Sequence, residues 1–271
     1  MRHHGCVGPA LHYIFRTRVA AGAPDLYTEA LMVPPSSAAR YEDTTVIVPT
    51  LNEEANISRL LDLLLQLYPG IQVRVADDGS RDRTREIVRD YHARHPAIAL
   101  LDRSDEPVHG LTISVVDAAR AVRTPFFVVI DGDMQHPPEK IDELRRRLLD
   151  GAGVVVGRRD RVLVPWPWHR RIISWIGVRL GRVRLWVHGA PTGDTMSGFF
   201  GVRTALFEQC AGPNLGRFEP RGYKVLFDFL KLLPRGTRVD EVPYDFGLRI
   251  GGTSKISATH LLLYVRSLFQ R

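Results

Sequence analysis

The spacing of apolar residues is irregular before Thr44 and periodic after it. Thr44–Val48 is a β-branched run that reads as a buried strand. Behind it, Ile57, Leu60, Leu61 and Leu64 recur at helical spacing, with Asn52 placed to cap the helix and Pro69-Gly70 to end it. Ile71–Ala76 predicts a second strand. A helix capped by Ser80 or Asp82 follows, with Ile87, Val88 and Tyr91 on one face. Ala97–Leu101, Pro125–Ile130 and Ala152–Val156 predict three more strands. A helix over 112–122 joins the third to the fourth, and Pro137-Pro138 opens another at its first turn. Strands alternating with helices of about 10–15 residues predict an α/β fold with a mainly parallel central sheet. No internal repeat interrupts this order. The expected organisation is an irregular N-terminal arm, residues 1–43, with one short helix around Leu11–Val19, followed by a single domain over 44–271. Met32 stands just before the periodic region, so translation starting there, with a dispensable arm, is one expectation.

The pattern changes after the fifth strand. Between Asp160 and Asp194 there is no acidic residue, whereas Arg161, Arg170, Arg171, Arg179, Arg182 and Arg184 all fall there. So do Trp166, Trp168, Trp175 and Trp186, all four tryptophans of the chain. Residues 169–188 predict an amphipathic helix, with Ile172, Ile173, Trp175, Ile176, Leu180 and Val183 as its apolar bulk. A second basic amphipathic helix is expected over about 257–271, carrying Leu261, Leu262, Tyr264, Val265, Leu268 and Phe269 beside Arg266 and Arg271. Tryptophan-rich basic helices suit a membrane surface, where the arginine stems lie along the apolar face and the charge stays in water. The competing reading is a core-packing helix with a solvated basic face. The clustering of tryptophans and arginines without acids favours the membrane surface.

No stretch approaches the roughly 18 apolar residues that a spanning helix needs. The N-terminal residues do not resemble a secretory leader, since Arg16 and Arg18 break the apolar pattern. The expectation is therefore a cytoplasmic protein, peripheral on the cytoplasmic face of a membrane. Lys and Arg outnumber Asp and Glu by 37 to 30, a formal charge of +7 that suits an anionic partner. Cys6 and Cys210 are the only cysteines, too few for a disulfide scaffold and read as free thiols. A chain of 271 residues buries about 75% of its unfolded surface, so it needs no staple to fold. His3-His4 is only a pair, and metal binding is not expected there.

Candidate chemistry sits at the ends of predicted strands, where α/β sheets open their ligand crevice. Pro49-Thr-Leu-Asn-Glu-Glu54 follows the first strand, Asp77-Asp-Gly-Ser80 the second and Asp131-Gly-Asp-Met-Gln135 the fourth. Any one alone is first a turn. Three at matching ends point to a site. Asp131 and Asp133 flank a glycine, so both carboxylates can face one crevice. Two carboxylates that close repel unless a cation lies between them. Hard oxygen donors favour Mg2+ or Mn2+, with Gln135 as a neutral third ligand, and such ions usually bridge to phosphates. Neither a Walker glycine-rich loop nor a Gly-x-Gly-x-x-Gly after the first strand is present, which argues against P-loop NTPases and dinucleotide enzymes.

These motifs resemble those of family 2 glycosyltransferases with the GT-A fold, a Rossmann-like nucleotide-diphospho-sugar transferase architecture. The segments concerned are Val46-Ile-Val-Pro-Thr-Leu-Asn-Glu-Glu-Ala-Asn-Ile57, Asp77-Asp-Gly-Ser-Arg-Asp-Arg-Thr84 and Asp131-Gly-Asp-Met-Gln-His-Pro-Pro-Glu139. Three more segments narrow the resemblance to the polyprenyl-phosphate (dolichol-phosphate) mannose synthases. They are Asp194-Thr-Met-Ser-Gly-Phe-Phe200, Arg221-Gly-Tyr-Lys224 and Phe246-Gly-Leu-Arg-Ile-Gly-Gly-Thr-Ser-Lys255.

The resemblance implies an enzyme that transfers mannose from GDP-mannose to a polyprenyl monophosphate with inversion, using Mg2+ or Mn2+. It implies that Pro49, Leu51 and Glu53 contact the nucleotide, with Ala76, Asp77 and Asp78 around base and ribose and Asp131 and Gly132 at the diphosphate. Asp131, Asp133 and Gln135 become the metal ligands. Arg159, Arg170 and Arg249 become, with Asp133, the catalytic set at the transferring and acceptor phosphates. Ser174, Asp194, Ser197, Tyr223, Lys224 and Lys255 become the sugar and acceptor pocket. Relatives of this kind carry C-terminal membrane spans, borrow a membrane-anchoring partner protein or bind peripherally.

One departure stands out. The family's Lys-x-Gly-Leu-Gly-x-Ala stretch reads Val108-His-Gly-Leu-Thr-Ile-Ser-Val115 here, with Thr112 at a usual glycine, which narrows backbone freedom and leaves donor choice and loop closure open. Rival readings keep the fold but use UDP-glucose or another nucleotide sugar, or a hydroxyl acceptor with Asp194 as general base. A catalytically dead membrane scaffold is a further rival, disfavoured by the complete Asp-x-Asp-x-Gln set. Nucleic acid is not an expected partner, since no recognition signature accompanies the basic face.

Overall fold

The structure, a computed structural model, describes residues 40–162, 179–186 and 192–247. They lie within one folding unit, Ala38–Arg271. The N-terminal arm up to residue 39, most of the 169–188 segment and the 257–271 segment are outside the described residues.

Seven strands form one sheet: β1 Thr44–Thr50, β2 Gln72–Asp77, β3 Ile98–Asp102, β4 Phe126–Val129, β5 Val154–Val162, β6 Phe200–Arg203 and β7 Val239–Phe246. Their spatial order is β3-β2-β1-β4-β6-β5-β7. All neighbours are parallel except β6, which runs antiparallel to β4 and β5. The helices are α1 Ile57–Leu67, α2 Thr84–Arg94, α3 Leu111–Arg120, α4 Ile141–Leu149, α5 Thr204–Ala211 and α6 Val225–Leu230. Residues 179–186 form a further helical piece.

Alternation along the strands builds three layers. On β1, Val46 and Val48 face a core shared with Ile57, Leu60, Leu61 and Leu64 of α1, Val88 of α2 and Leu144 of α4. Ile47 faces the opposite core, with Val115 and Val116 of α3, Phe207 of α5 and Phe227 of α6. Period two along a strand sends neighbouring side chains to opposite faces, so a buried parallel strand is apolar on both.

Each of the first five predicted strands forms, with shifted ends. The fifth extends to Val162, past the apolar run, because Arg158, Arg159 and Arg161 keep pairing with β7. Asn52 does not cap α1. It adopts a left-handed backbone (φ 53°), and the helix starts after Asn56, whose amide bonds Glu53 instead. Neither Ser80 nor Asp82 is the N-cap of the next helix, which is Arg83; Asp82, one residue earlier, accepts the Thr84 N–H at 3.0 Å. Pro138 opens a 3-10 turn, and α4 continues it from Ile141. Just ahead of β1, Tyr41 is buried, its hydroxyl donates to Asp142 at 3.0 Å and Asp43 pairs with Arg145.

Chain order fixes where a ligand crevice opens. β2 and β3 lie on one side of β1, and β4 lies on the other. The chain therefore reverses direction across the sheet between β1 and β4, and the loops leaving their carboxyl ends border the crevice there. Those loops carry Pro49–Glu54 and Asp131–Gln135.

Candidate active site

The loops after β1 and β2 are stitched together. Asp77 is fully buried and accepts from the Thr50 hydroxyl at 2.9 Å, the Ser80 hydroxyl at 2.5 Å and the Ser80 N–H at 2.8 Å. Asn52 N–H donates to Ser80 Oγ at 2.7 Å, and Glu53 N–H to Thr84 Oγ1 at 2.8 Å. The Asp77 carboxylate thus shapes the loop. Ala76 is buried in the core, while Leu51 stands exposed at the strand end and Glu53 is buried beside Asn56. Pro49 lies in register with Ala76 across β1 and β2.

Asp78 turns towards the β3–α3 loop. It accepts from Arg103 Nη1 at 2.5 Å and from the Gly110 N–H at 2.7 Å, with His109 Nδ1 at 3.2 Å. Arg103 is itself buried and also binds Asp117, Ser114 and the Val108 carbonyl. Its role was not legible in the sequence, because a lone arginine after a strand carries no motif. Thr112, the departure from the family pattern, sits in the first turn of α3, where a side chain costs no backbone strain. Its N–H donates to the Gly222 carbonyl at 3.1 Å.

At the end of β4, Asp131, Asp133 and Gln135 share one tight loop. Met134 takes a left-handed backbone (φ 64°) between the second and third of them, a strained conformation of the kind that clusters at functional sites. The Gln135 N–H bonds Asp133 Oδ1 at 3.1 Å. Its amide nitrogen donates to the Gly247 carbonyl at 3.1 Å, which directs the amide oxygen away from that carbonyl. Gly132 lies beside Thr50 and Glu53, so a Cβ there would stand 3.4 and 3.5 Å from their side chains. The β1 and β4 loops are therefore in contact at the crevice.

These residues suit a divalent ion in one specific sense. Two carboxylates and an amide oxygen form a hard donor set. Among the described residues no group of three His, Cys, Asp or Glu side chains closes a cage. An open oxygen site completed by substrate phosphates is how Mg2+ and Mn2+ are usually held. Gly198 supplies the cradle: a Cβ on it would fall 2.7 Å from Asp131 Oδ2, so only glycine leaves room for that carboxylate.

A second cluster flanks the first. Arg159 on β5 grips Asp194 with two parallel bonds, Nε to Oδ2 at 2.7 Å and Nη2 to Oδ1 at 2.9 Å. Burial pushes the Asp194 carboxyl up, but the bonds and charge of Arg159 outweigh it and hold it below the ordinary range. Arg159 is correspondingly raised, burial notwithstanding. Lys224 Nζ donates to the Met196 carbonyl at 2.8 Å and lies 4.2 Å from the Tyr223 ring centroid. Burial, with the Arg159 charge, pulls Lys224 down to about 7, opposed by Asp194 and Asp131. The Ser197 hydroxyl closes a turn on the Phe199 backbone. The structure thus brings Asp131, Arg159, Asp194, Ser197, Tyr223 and Lys224 to one side of the crevice. Arg170, Ser174, Arg249 and Lys255 lie outside the described residues.

This sheet order, with an Asp-x-Asp loop at the reversal point, is that of the GT-A fold. The fold matches glucosyl-3-phosphoglycerate synthase from Mycobacterium tuberculosis, crystallised with Mn2+, UDP-glucose and phosphoglyceric acid. The TM-score is 0.58 at 20% identity, over 83% of this chain and 78% of that one.

The model of glycosyl transferase family 2 matches residues 45–210, and the chain belongs to that family and is a glycosyltransferase. It is 31% identical to a dolichol-phosphate mannosyltransferase of Pyrococcus furiosus over 83% of this chain, and it spans 62% of that relative's length. It is 32% identical to a dolichol-phosphate mannosyltransferase of Saccharomyces cerevisiae over 83% of this chain and 85% of that one.

Proposed function

We propose that the chain transfers mannose from GDP-mannose to the phosphate of a polyprenyl monophosphate, with inversion and with Mg2+ or Mn2+. The names of the two relatives support the sugar and the acceptor class. The observation that carries the choice of acceptor is the state of Asp194. A hydroxyl acceptor needs a general base, and Asp194 is the carboxylate that the sequence offers. Gripped by Arg159 and held below the ordinary range, it is a poor base. A phosphate monoester is already ionised at neutral pH and attacks without one.

The chain's own groups then act by placement and charge. Pro49, Leu51, Glu53 and Asp78 form the wall for the nucleotide, with the buried Asp77 holding the loop behind them. Asp131, Asp133 and Gln135 hold the ion, which offsets the charge developing on the leaving diphosphate. Arg159, with Arg170, Arg249 and Lys255, sets the positive field that draws the acceptor phosphate to the crevice, and Ser174 and Lys224 line the pocket for sugar and acceptor. The reaction then lies at the cytoplasmic face of a membrane, with the basic tryptophan-bearing segment against the lipid.

A transfer assay tests this reading. The protein is incubated with Mn2+ or Mg2+, a short polyprenyl phosphate and labelled GDP-mannose, UDP-glucose or UDP-N-acetylglucosamine, and label in the organic phase is counted. Label from GDP-mannose alone, in a β-linked product, and its loss in Asp133→Ala are expected. An α-linked product, or undiminished turnover by Asp133→Ala, overturns the mechanism. Label from another donor overturns the choice of sugar.

A further inference from the structure

Asp131 is held from behind. His136, buried at the end of the same loop, brings Nε2 to 2.9 Å from Asp131 Oδ2. On its other side, Nδ1 lies 2.8 Å from the Tyr244 hydroxyl, which β7 carries across from the far edge of the sheet. An ionised carboxylate only accepts, so Nε2 bears the proton. In the neutral ring Nδ1 is then bare and accepts from the tyrosine. The chain of donors runs from the Tyr244 O–H to His136 Nδ1, and from the Nε2–H to Asp131.

The ring cannot swing out of this line. It stacks on Phe199 (centroids 5.5 Å apart, planes at 26°) and meets Tyr244 and Phe246 edge-on at 5.5 and 5.3 Å. Gly198 packs against the same carboxylate, a Cβ on it falling 2.7 Å from Oδ2. Asp131 Oδ2 is therefore committed to the His136 N–H and packed against the Gly198 backbone.

We propose that His136 and Tyr244 are positioning residues that fix the Asp131 carboxylate in the orientation that receives the divalent ion. The inference rests on the metal-dependent reading of this site. Orienting groups behind a metal ligand fix its direction, and their loss typically weakens metal binding by about 10–100-fold. A merely space-filling histidine has no such effect when an aromatic ring replaces it.

The test reads metal binding without turnover. Free Mn2+ is followed by electron paramagnetic resonance while the full chain is titrated with GDP or UDP present. His136→Phe keeps a ring against Phe199 and removes the N–H. Tyr244→Phe removes one hydroxyl and keeps the ring contacts. His136→Gln restores an amide donor. The expected result is a rise of roughly 10–100-fold in the Mn2+ dissociation constant for His136→Phe. A smaller rise is expected for Tyr244→Phe and partial recovery in His136→Gln, with unchanged far-ultraviolet circular dichroism. If His136→Phe does not fold, Tyr244→Phe decides. Unchanged Mn2+ affinity in the folded variants overturns the relay and leaves the metal site standing. An unaltered chain that takes up no Mn2+ beside either nucleotide overturns the metal reading, and the relay with it.

Discussion

Lys224 carries the clearest physical consequence of a single residue. An ordinary lysine holds its proton to about 10.5, whereas burial beside Arg159 brings this one down to about 7. Between those values the unfolded chain keeps a proton that the folded chain has released. Stability therefore rises with pH across that window, and below about 7 the difference vanishes because both states are protonated. Denaturant midpoints measured from pH 6 to 10 are expected to climb more steeply in the unaltered protein than in Lys224→Met. Equal slopes contradict the burial argument. The sequence named Lys224 through its motif, but an isolated lysine says nothing about its charge state. That state comes from burial, with Arg159 adding to it and Asp194 and Asp131 opposing it, groups far away in the chain and brought near only by folding.

At the scale of elements, the site depends on how α3 begins. Gly110 precedes it with a positive φ of 155°, and a Cβ there would lie 2.5 Å from the Pro220 carbonyl and 2.7 Å from Arg221 Cα. The first amides of the helix donate to the Pro220 and Gly222 carbonyls, which anchors the segment leading into Tyr223 and Lys224. Gly110→Ala is expected to cost about 1–3 kcal/mol by overpacking and to raise the KM for the acceptor as that segment shifts. Unchanged midpoint and KM contradict it.

The strands around β1 were legible because parallel strands buried on both faces must be continuously apolar, as Val46–Val48 and Phe126–Val129 are. Two strands were not. β6 has only four residues, one of them Gly201, and joins β4 antiparallel. β7 mixes Asp240, Glu241 and Asp245 with Pro243, which a strand tolerates at a sheet edge, where β7 lies. Missing β7 hid Tyr244, and with it the support behind Asp131. His136 was visible inside its motif, yet its partner was not.

The proposed reaction requires the whole molecule to bring a nucleotide sugar and a lipid to one crevice. Among the described residues no helix is long and apolar enough to cross a membrane. The helical piece 179–186 buries Leu185 and leaves Leu180, Val183 and Trp186 at 50, 65 and 73% exposure, beside the exposed Arg179 and Arg182. Such exposure on this described piece suits an interface, where apolar side chains enter the lipid and arginines meet anionic headgroups. Each basic residue near an anionic surface contributes about 1 kcal/mol, and salt screens it. The full chain is therefore expected to float with anionic phospholipid vesicles at low salt and less so at high salt. Val183→Glu and Trp186→Glu together are expected to reduce flotation sharply while GDP binding persists, since neither residue is part of the nucleotide wall. Flotation unaffected by both changes means that the lipid contact lies elsewhere on the molecule. Loss of GDP binding as well means that the helical piece supports the crevice instead of a membrane.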